Sequence, residues 1–166
     1  MEVYRIENHS YLDSRGEFQR IFDIQMEGYD NICLQQANIS KNPSRYTLRG
    51  MHFQTSGPAE MKLITILSGT VWIVVSNAHL AKTQSEVKNE YFELSEASRQ
   101  TLIVGSGLAT GWISLSDHVT VSYLMTARYQ ECKFSGFRFD DAFASINWPV
   151  SPEVISEKDL CWEPLR

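Results

Sequence analysis

Leu63-Ile64-Thr65-Ile66-Leu67, stopped by Ser68-Gly69 and resumed by Thr70-Val71-Trp72-Ile73-Val74-Val75-Ser76, decides the fold class. Both runs are apolar and β-branched at most positions, which suits a packed, pleated surface. The Ser-Gly between them predicts a hairpin turn, with 70–76 as the returning strand. The same pattern recurs downstream. Gln100 to Val104 precedes a Gly105-Ser106-Gly107 turn, Trp112 to Leu115 precedes Ser116-Asp117, and His118 to Met125 follows. Short strands separated by turn residues predict an all-β antiparallel sandwich or barrel. Upstream, Ile32 to Ser40 is also strand-like, and alternation puts Gln36, Asn38 and Ser40 on one face. That face is either the lining of a pocket mouth or the wet side of an edge strand. The C-terminal third, with Phe134, Phe137, Phe139 and Trp148-Pro149, is irregular. It is expected to pack across the barrel rather than extend it, with Ser156 capping a short helix.

The chain has 166 residues, the size of one ordinary domain, so residues 1–166 are read as a single unit. Apolar residues make up 43% and charged residues 21%, within the range of globular proteins. A formal net charge of −5 argues against nucleic acid as a partner, although a local basic patch can still hold a phosphorylated ligand. Cys33, Cys132 and Cys161 are odd in number and widely spaced, which indicates neither a disulfide framework nor a zinc site. The N-terminus MEVYRIENHS lacks the basic and apolar regions of a signal peptide, and no run is long enough to span a membrane. A cytoplasmic location is the expectation.

Chemistry concentrates in Leu48-Arg49-Gly50-Met51-His52-Phe53-Gln54. Glycine permits a bend or a close backbone approach, and Arg49 and His52 flank it. A single histidine is as consistent with a structural role as with proton transfer. Lys62 opens the next strand, Arg15 adjoins Gly16 in an early turn, and Asp159 lies near the C-terminus. Taken alone, Asp159 is equally a turn cap, Lys62 a solvated cation and Tyr129 a packed aromatic.

These and other segments together resemble the dTDP-4-dehydrorhamnose 3,5-epimerase family. Asp13-Ser14-Arg15-Gly16-Glu17-Phe18 is similar to its DxRGxF, Gln36 to Ser40 to its QxNxS, and Leu48 to Gln54 to its LRGxHxQ. Lys62-Leu63 and Gly69 follow in place, and Tyr129 with Gly136 and Asp140-Asp141 resembles the segment of the acid tyrosine. Ile146-Asn147-Trp148-Pro149 and Ile155 to Asp159 resemble the IxWP and SxKD endings. The matches run in order along nearly the whole chain.

The resemblance implies a cupin-type jelly-roll β-barrel that inverts C3, C5 or both of a nucleotide-linked 4-keto-6-deoxyhexose. Such chemistry needs a base on one face of the sugar, an acid on the other and a cation at the enolate oxygen. By resemblance His52 is the base, Asp159 its partner, Lys62 the cation and Tyr129 the acid; phenols, with an ordinary pKa of about 10, stay protonated near pH 7. Arg15 and Arg49 suit pyrophosphate oxygens, Phe18 resembles the residue that stacks on the base, and Gln36 and Asn38 resemble residues that hold sugar and phosphates. The resemblance also implies a homodimer in which each pocket borrows a strand from the second subunit. No metal or other cofactor is expected: the HxH pair of metal-binding cupins is absent, because Gln54 stands two residues after His52.

Four positions depart from the family pattern. Its AHGF is Ala109-Thr110-Gly111-Trp112, and its VDxR is Ser76-Asn77-Ala78-His79. Thr110 and Asn77 are therefore expected in the pocket, where they can share a hydrogen bond but cannot titrate near pH 7. This favours inversion of one carbon over two. Phe134 replaces a glutamate. Arg20 also replaces a glutamate; a guanidinium satisfies the N3 acceptor of cytosine, where a carboxylate accepts from the N3–H of thymine, so a CDP sugar stands beside a dTDP sugar as a substrate. The alternative for Arg20 is that it points into solvent. Two other functions share these residues: a keto-sugar isomerase, and a catalytically weakened sugar-nucleotide-binding protein.

Overall fold

In a computed structural model, which describes residues 1–25, 27–29 and 32–166, the strands run β1 (Val3–Glu7), β2 (His9–Asp13), β3 (Gly16–Arg20), β4 (Gln36–Asn42), β5 (Thr47–Ser56), β6 (Lys62–Ser68) and β7 (Thr70–Ser76). They continue as β8 (Asn89–Ser95), β9 (Gln100–Val104), β10 (Ala109–Ser114), β11 (Val119–Met125), β12 (Lys133–Gly136) and β13 (Val154–Ile155), followed by helix α1 (Glu157–Leu160). One sheet has the order β1-β9-β6-β11-β4, and the facing sheet β12-β5-β10-β7-β8 with β13 added parallel to the start of β5. The β2–β3 hairpin stands apart from both. The architecture is the jelly roll expected for a cupin.

The deciding stretch is not a hairpin. β6 pairs with β9 and β11, whereas β7 pairs with β10 and β8. Gly69, at φ +79°, carries the chain across the core from one sheet to the other, and a Cβ there would press into Ser116 and Val119. The continuous apolar runs follow from burial on both faces. Ile64 and Ile66 meet Val71, Ile73 and Val75 between the sheets. On the outer side of β6, Leu63 and Ile103 are covered by Ile6, Tyr29 and Ile32. On the outer side of β7, Val74 and Ala109 are covered by Phe137 and Ala144. Burying each such Leu, Ile or Val contributes about 1.5–3 kcal/mol.

Two further expectations need correction. The C-terminal third covers the barrel but also extends it, because β12 becomes an edge strand on β5 and β13 adds a parallel rung. The strand read from Ile32 begins only at Gln36, while Ile32 packs into the N-terminal cluster. β4 is an edge strand, and its residues Asn38 and Ser40 also line a cleft, so both readings of that face hold.

Candidate active site

A cleft of about 430 Å³ opens at the end of the barrel between β4, β5, β6 and the C-terminal helix. Its position depends on an irregularity in β5. In a regular strand Arg49 and His52, three residues apart, point to opposite faces. Here β10 pairs Thr110 with His52 but Trp112 with Arg49, so β5 holds one extra residue between them. Both side chains therefore line the same cleft. Gly50 makes this possible: it sits at φ +130°, and a Cβ on it would lie 2.5 Å from the Cα of Gly111.

Asp159 reaches this point from the far end of the chain. Ser156 caps α1, accepting a hydrogen bond from the Asp159 N–H at 3.1 Å, as the sequence predicts. The Asp159 carboxylate is buried and lies 2.6 Å from Nε2 of His52. It also accepts from the Gly50 N–H at 3.3 Å and from Trp162 Nε1–H at 3.4 Å. Burial pushes its pKa up, but the His52 hydrogen bond and charge, with the Gly50 and Trp162 donors, outweigh burial and hold it below the usual carboxylate range. With Nε2–H committed to Asp159, Nδ1 carries the free lone pair of the imidazole. Trp162 also packs edge-on against His52, 6.3 Å between ring centroids, in space that Gly136 leaves open.

Lys62 lines the same cleft from the start of β6. Burial pushes its ammonium down, and nearby Glu60 partly opposes this. Tyr129 sits in a short 3-10 turn with its ring stacked on Phe134, 5.3 Å between centroids. Gln36 is not part of the cleft lining and acts behind it: its Oε1 accepts the Tyr129 backbone N–H at 2.9 Å, and its Nε2 donates to Asn38 Oδ1 at 3.0 Å. Arg49 is steadied by a 2.9 Å hydrogen bond from Nε to Asn42.

Thr110 faces the cleft next to His52, and its buried Oγ1 has no partner among the described residues. Asn77 is a correction. Its side chain donates to the Glu86 carbonyl and accepts from the Lys88 N–H, tying off the 77–88 loop, so it is not in the cleft lining and does not share the hydrogen bond that it could have made with Thr110.

Arg15, Phe18 and Arg20 lie on or beside the β2–β3 hairpin, outside this cleft. Arg15 pairs with Asp13 at 2.5 Å, Arg20 with Asp23 at 3.5 Å, and the Phe18 ring is exposed beside Tyr11 and Leu12. Within one chain they do not meet His52. The cleft also contains residues the sequence did not single out: Glu60, Tyr123, Ser135, Lys158 and Trp162. Glu60 stands two positions before Lys62 in an extended run, and that spacing was the available signal. Among the described residues no group of three or more His, Cys, Asp or Glu is arranged to hold a metal ion, and no helix is long and apolar enough to cross a membrane.

The fold agrees with comparison to known proteins. The family model described as dTDP-4-dehydrorhamnose 3,5-epimerase matches residues 1–166. A curated enzyme of that name from Methanothermobacter thermautotrophicus is 34% identical, over 97% of this chain and 88% of its own. A dTDP-4-dehydrorhamnose 3-epimerase from Streptomyces niveus is 29% identical over 76% of this chain and 60% of its own. The crystal structure of dTDP-4-dehydrorhamnose 3,5-epimerase from Bacillus anthracis, with TDP and PPi bound, superimposes with a TM-score of 0.85 at 26% identity, over 98% of this chain and 94% of that one. The jelly-roll fold is thus shared with isomerases of carbohydrate derivatives. The chain belongs to the dTDP-4-dehydrorhamnose 3,5-epimerase family.

Proposed function

We propose that this chain, acting as a single domain over residues 1–166, epimerises a dTDP-linked 4-keto-6-deoxyhexose at one carbon next to the ketone. The observation that carries the reading is the His52–Asp159 pair, 2.6 Å apart, in the cleft that also holds Lys62 and Tyr129. His52 Nδ1 removes the proton from the carbon next to the ketone, and the electron pair moves onto the carbonyl oxygen. Asp159 stabilises the imidazolium so formed, and the Lys62 ammonium holds the enolate oxygen. Tyr129 returns a proton to the opposite face of that carbon as the carbonyl re-forms. Solvent then takes the proton from His52 and restores that of Tyr129.

Thr110 supports inversion of one centre, since it adds no second titrating group beside His52, and relatives of both kinds, 3,5- and 3-epimerases, are known. Arg20 is engaged with Asp23 within its own segment, which favours its standing clear of the base; dTDP is then preferred to CDP. Arg15 and Phe18 are assigned to the pocket of a second subunit in a homodimer, reached by the projecting hairpin. The three exposed apolar side chains Tyr11, Leu12 and Phe18 on that hairpin support this.

The test is proton exchange in heavy water followed by NMR, with dTDP- and CDP-linked 4-keto-6-deoxyglucose. Deuterium entering at C3 or C5 of the dTDP sugar, and absent with His52→Ala, is the expected result. Binding without exchange on either nucleotide would refute the epimerase reading and leave a binding protein.

A further inference from the structure

Glu60 belongs to none of the roles above. It lies in the connection before β6, only 3% exposed, and its Oε1 is buried with no hydrogen-bond partner among the described residues. Its backbone is pinned by a 3.1 Å bond from its N–H to Gln54 Oε1, and Gln54 is itself held through Nε2 by the Pro58 carbonyl at 2.6 Å. The backbone of Glu60 is thus fixed beside the cleft, and burial confines the carboxyl there. It lines the cleft together with Lys62, two residues on and on the same side of the extended chain. The two are coupled electrostatically, each favouring the charged form of the other. A buried carboxyl oxygen without a donor is costly to a folded protein, and the cost is relieved when a ligand supplies the donor. The donors a hexose offers are its hydroxyl groups.

We infer that Glu60 is a specificity-determining residue whose unpartnered carboxyl oxygen accepts a hydrogen bond from a ring hydroxyl of the bound sugar. The inference rests on the proposed hexose substrate. A site built to bond a hydroxyl rejects an analogue lacking it much more strongly than a site that merely has room for it, because the buried acceptor is again left bare. The chain then discriminates between 4-keto-6-deoxyhexoses and their dideoxy counterparts at this residue, separately from proton transfer at His52.

Binding and turnover are measured with dTDP-4-keto-6-deoxyglucose and with its 2-deoxy and 3-deoxy analogues, on wild type, Glu60→Ala and Glu60→Gln. Wild type is expected to bind one of the two deoxy sugars about 10- to 100-fold more weakly than the parent. Glu60→Ala should erase that gap by weakening only the parent. Glu60→Gln keeps an acceptor in the same volume, so it should retain most of the gap and serves if the alanine variant folds poorly. An equal loss on all three sugars, or a gap that survives in both variants, would overturn the inference. Calorimetric binding decides this even if no turnover is seen, so failure of the epimerase reading (binding without proton exchange in wild type) is distinct from failure of the role given to Glu60.

Discussion

Asp159 Oδ1 lies 2.6 Å from His52 Nε2 although 107 residues separate them. The same carboxylate takes the Gly50 N–H, so one residue orients the imidazole and ties down the irregular turn of β5 that aims it. Asp159→Asn should lower kcat by about 100- to 10,000-fold with KM little changed, because an amide neither fixes the needed tautomer nor stabilises an imidazolium. Steady-state kinetics on the keto sugar check this.

The lowered pKa of Asp159 carries a stability consequence of known sign. A carboxyl held below its unfolded value stabilises the fold above about pH 4, and that contribution is lost as pH falls through the folded value. Urea melts of wild type and Asp159→Asn should differ at pH 7, and the difference should narrow below pH 4.

In the proposed mechanism Lys62 has to be protonated to hold an enolate, and burial already lowers its pKa. Glu60 is the negative charge that partly restores it. His79 is electrostatically coupled to Lys62; burial keeps that imidazole down, only partly offset by a Gly107 hydrogen bond, so it adds no charge at alkaline pH. Glu60→Gln should therefore move the alkaline fall in kcat to lower pH, and Lys62→Met should abolish turnover. A pH profile unmoved by Glu60→Gln would dissociate the pair.

Tyr129 and His52 serve opposite faces of the sugar in the proposed mechanism, so their removal should be distinguishable. Tyr129→Phe should still exchange the substrate proton for deuterium while forming little inverted product; His52→Ala should do neither. Gln36→Ala, which frees the Tyr129 backbone and Asn38 together, should reduce inversion about 10-fold while leaving exchange largely intact.

The hairpin residues offer a test of pocket sharing. If Arg15 serves the site of the other subunit, His52→Ala and Arg15→Ala chains, each weak alone, should regain activity when co-refolded, because one site of the mixed dimer is then intact. No recovery on mixing would confine each pocket to one chain.

Much of the fold was legible because strand alternation and turn residues are local signals. Ser68-Gly69 misled because a hairpin and a crossing between sheets use the same residues; only the pairing of β6 with β9 and of β7 with β10 tells them apart. A regular strand would point Arg49 and His52 apart, and the extra residue in β5 that unites them lies where Gly50 meets Gly111 on another strand. Ser156 was readable as the cap of a short helix. Glu60 was not singled out, since a carboxylate in a connecting segment reads as solvated until tertiary burial removes its water. Asn77 failed for the complementary reason: position in a motif cannot reveal that a side chain is consumed by its own loop.

The crossing at Gly69 has a consequence for how the molecule forms. Because β6 and β7 are adjacent in sequence but not partners, neither can gain its ladder from the other. β6 waits for β9 and β11, and β5 waits for β10, β12 and β13. Each closure spans a long loop whose entropy is lost before its contacts form, which is the signature of high contact order and slow folding. Within residues 1–60 only the β2–β3 hairpin finds its partner, and the His52–Asp159 pair forms only once α1, beyond the last strand, has folded back onto β5.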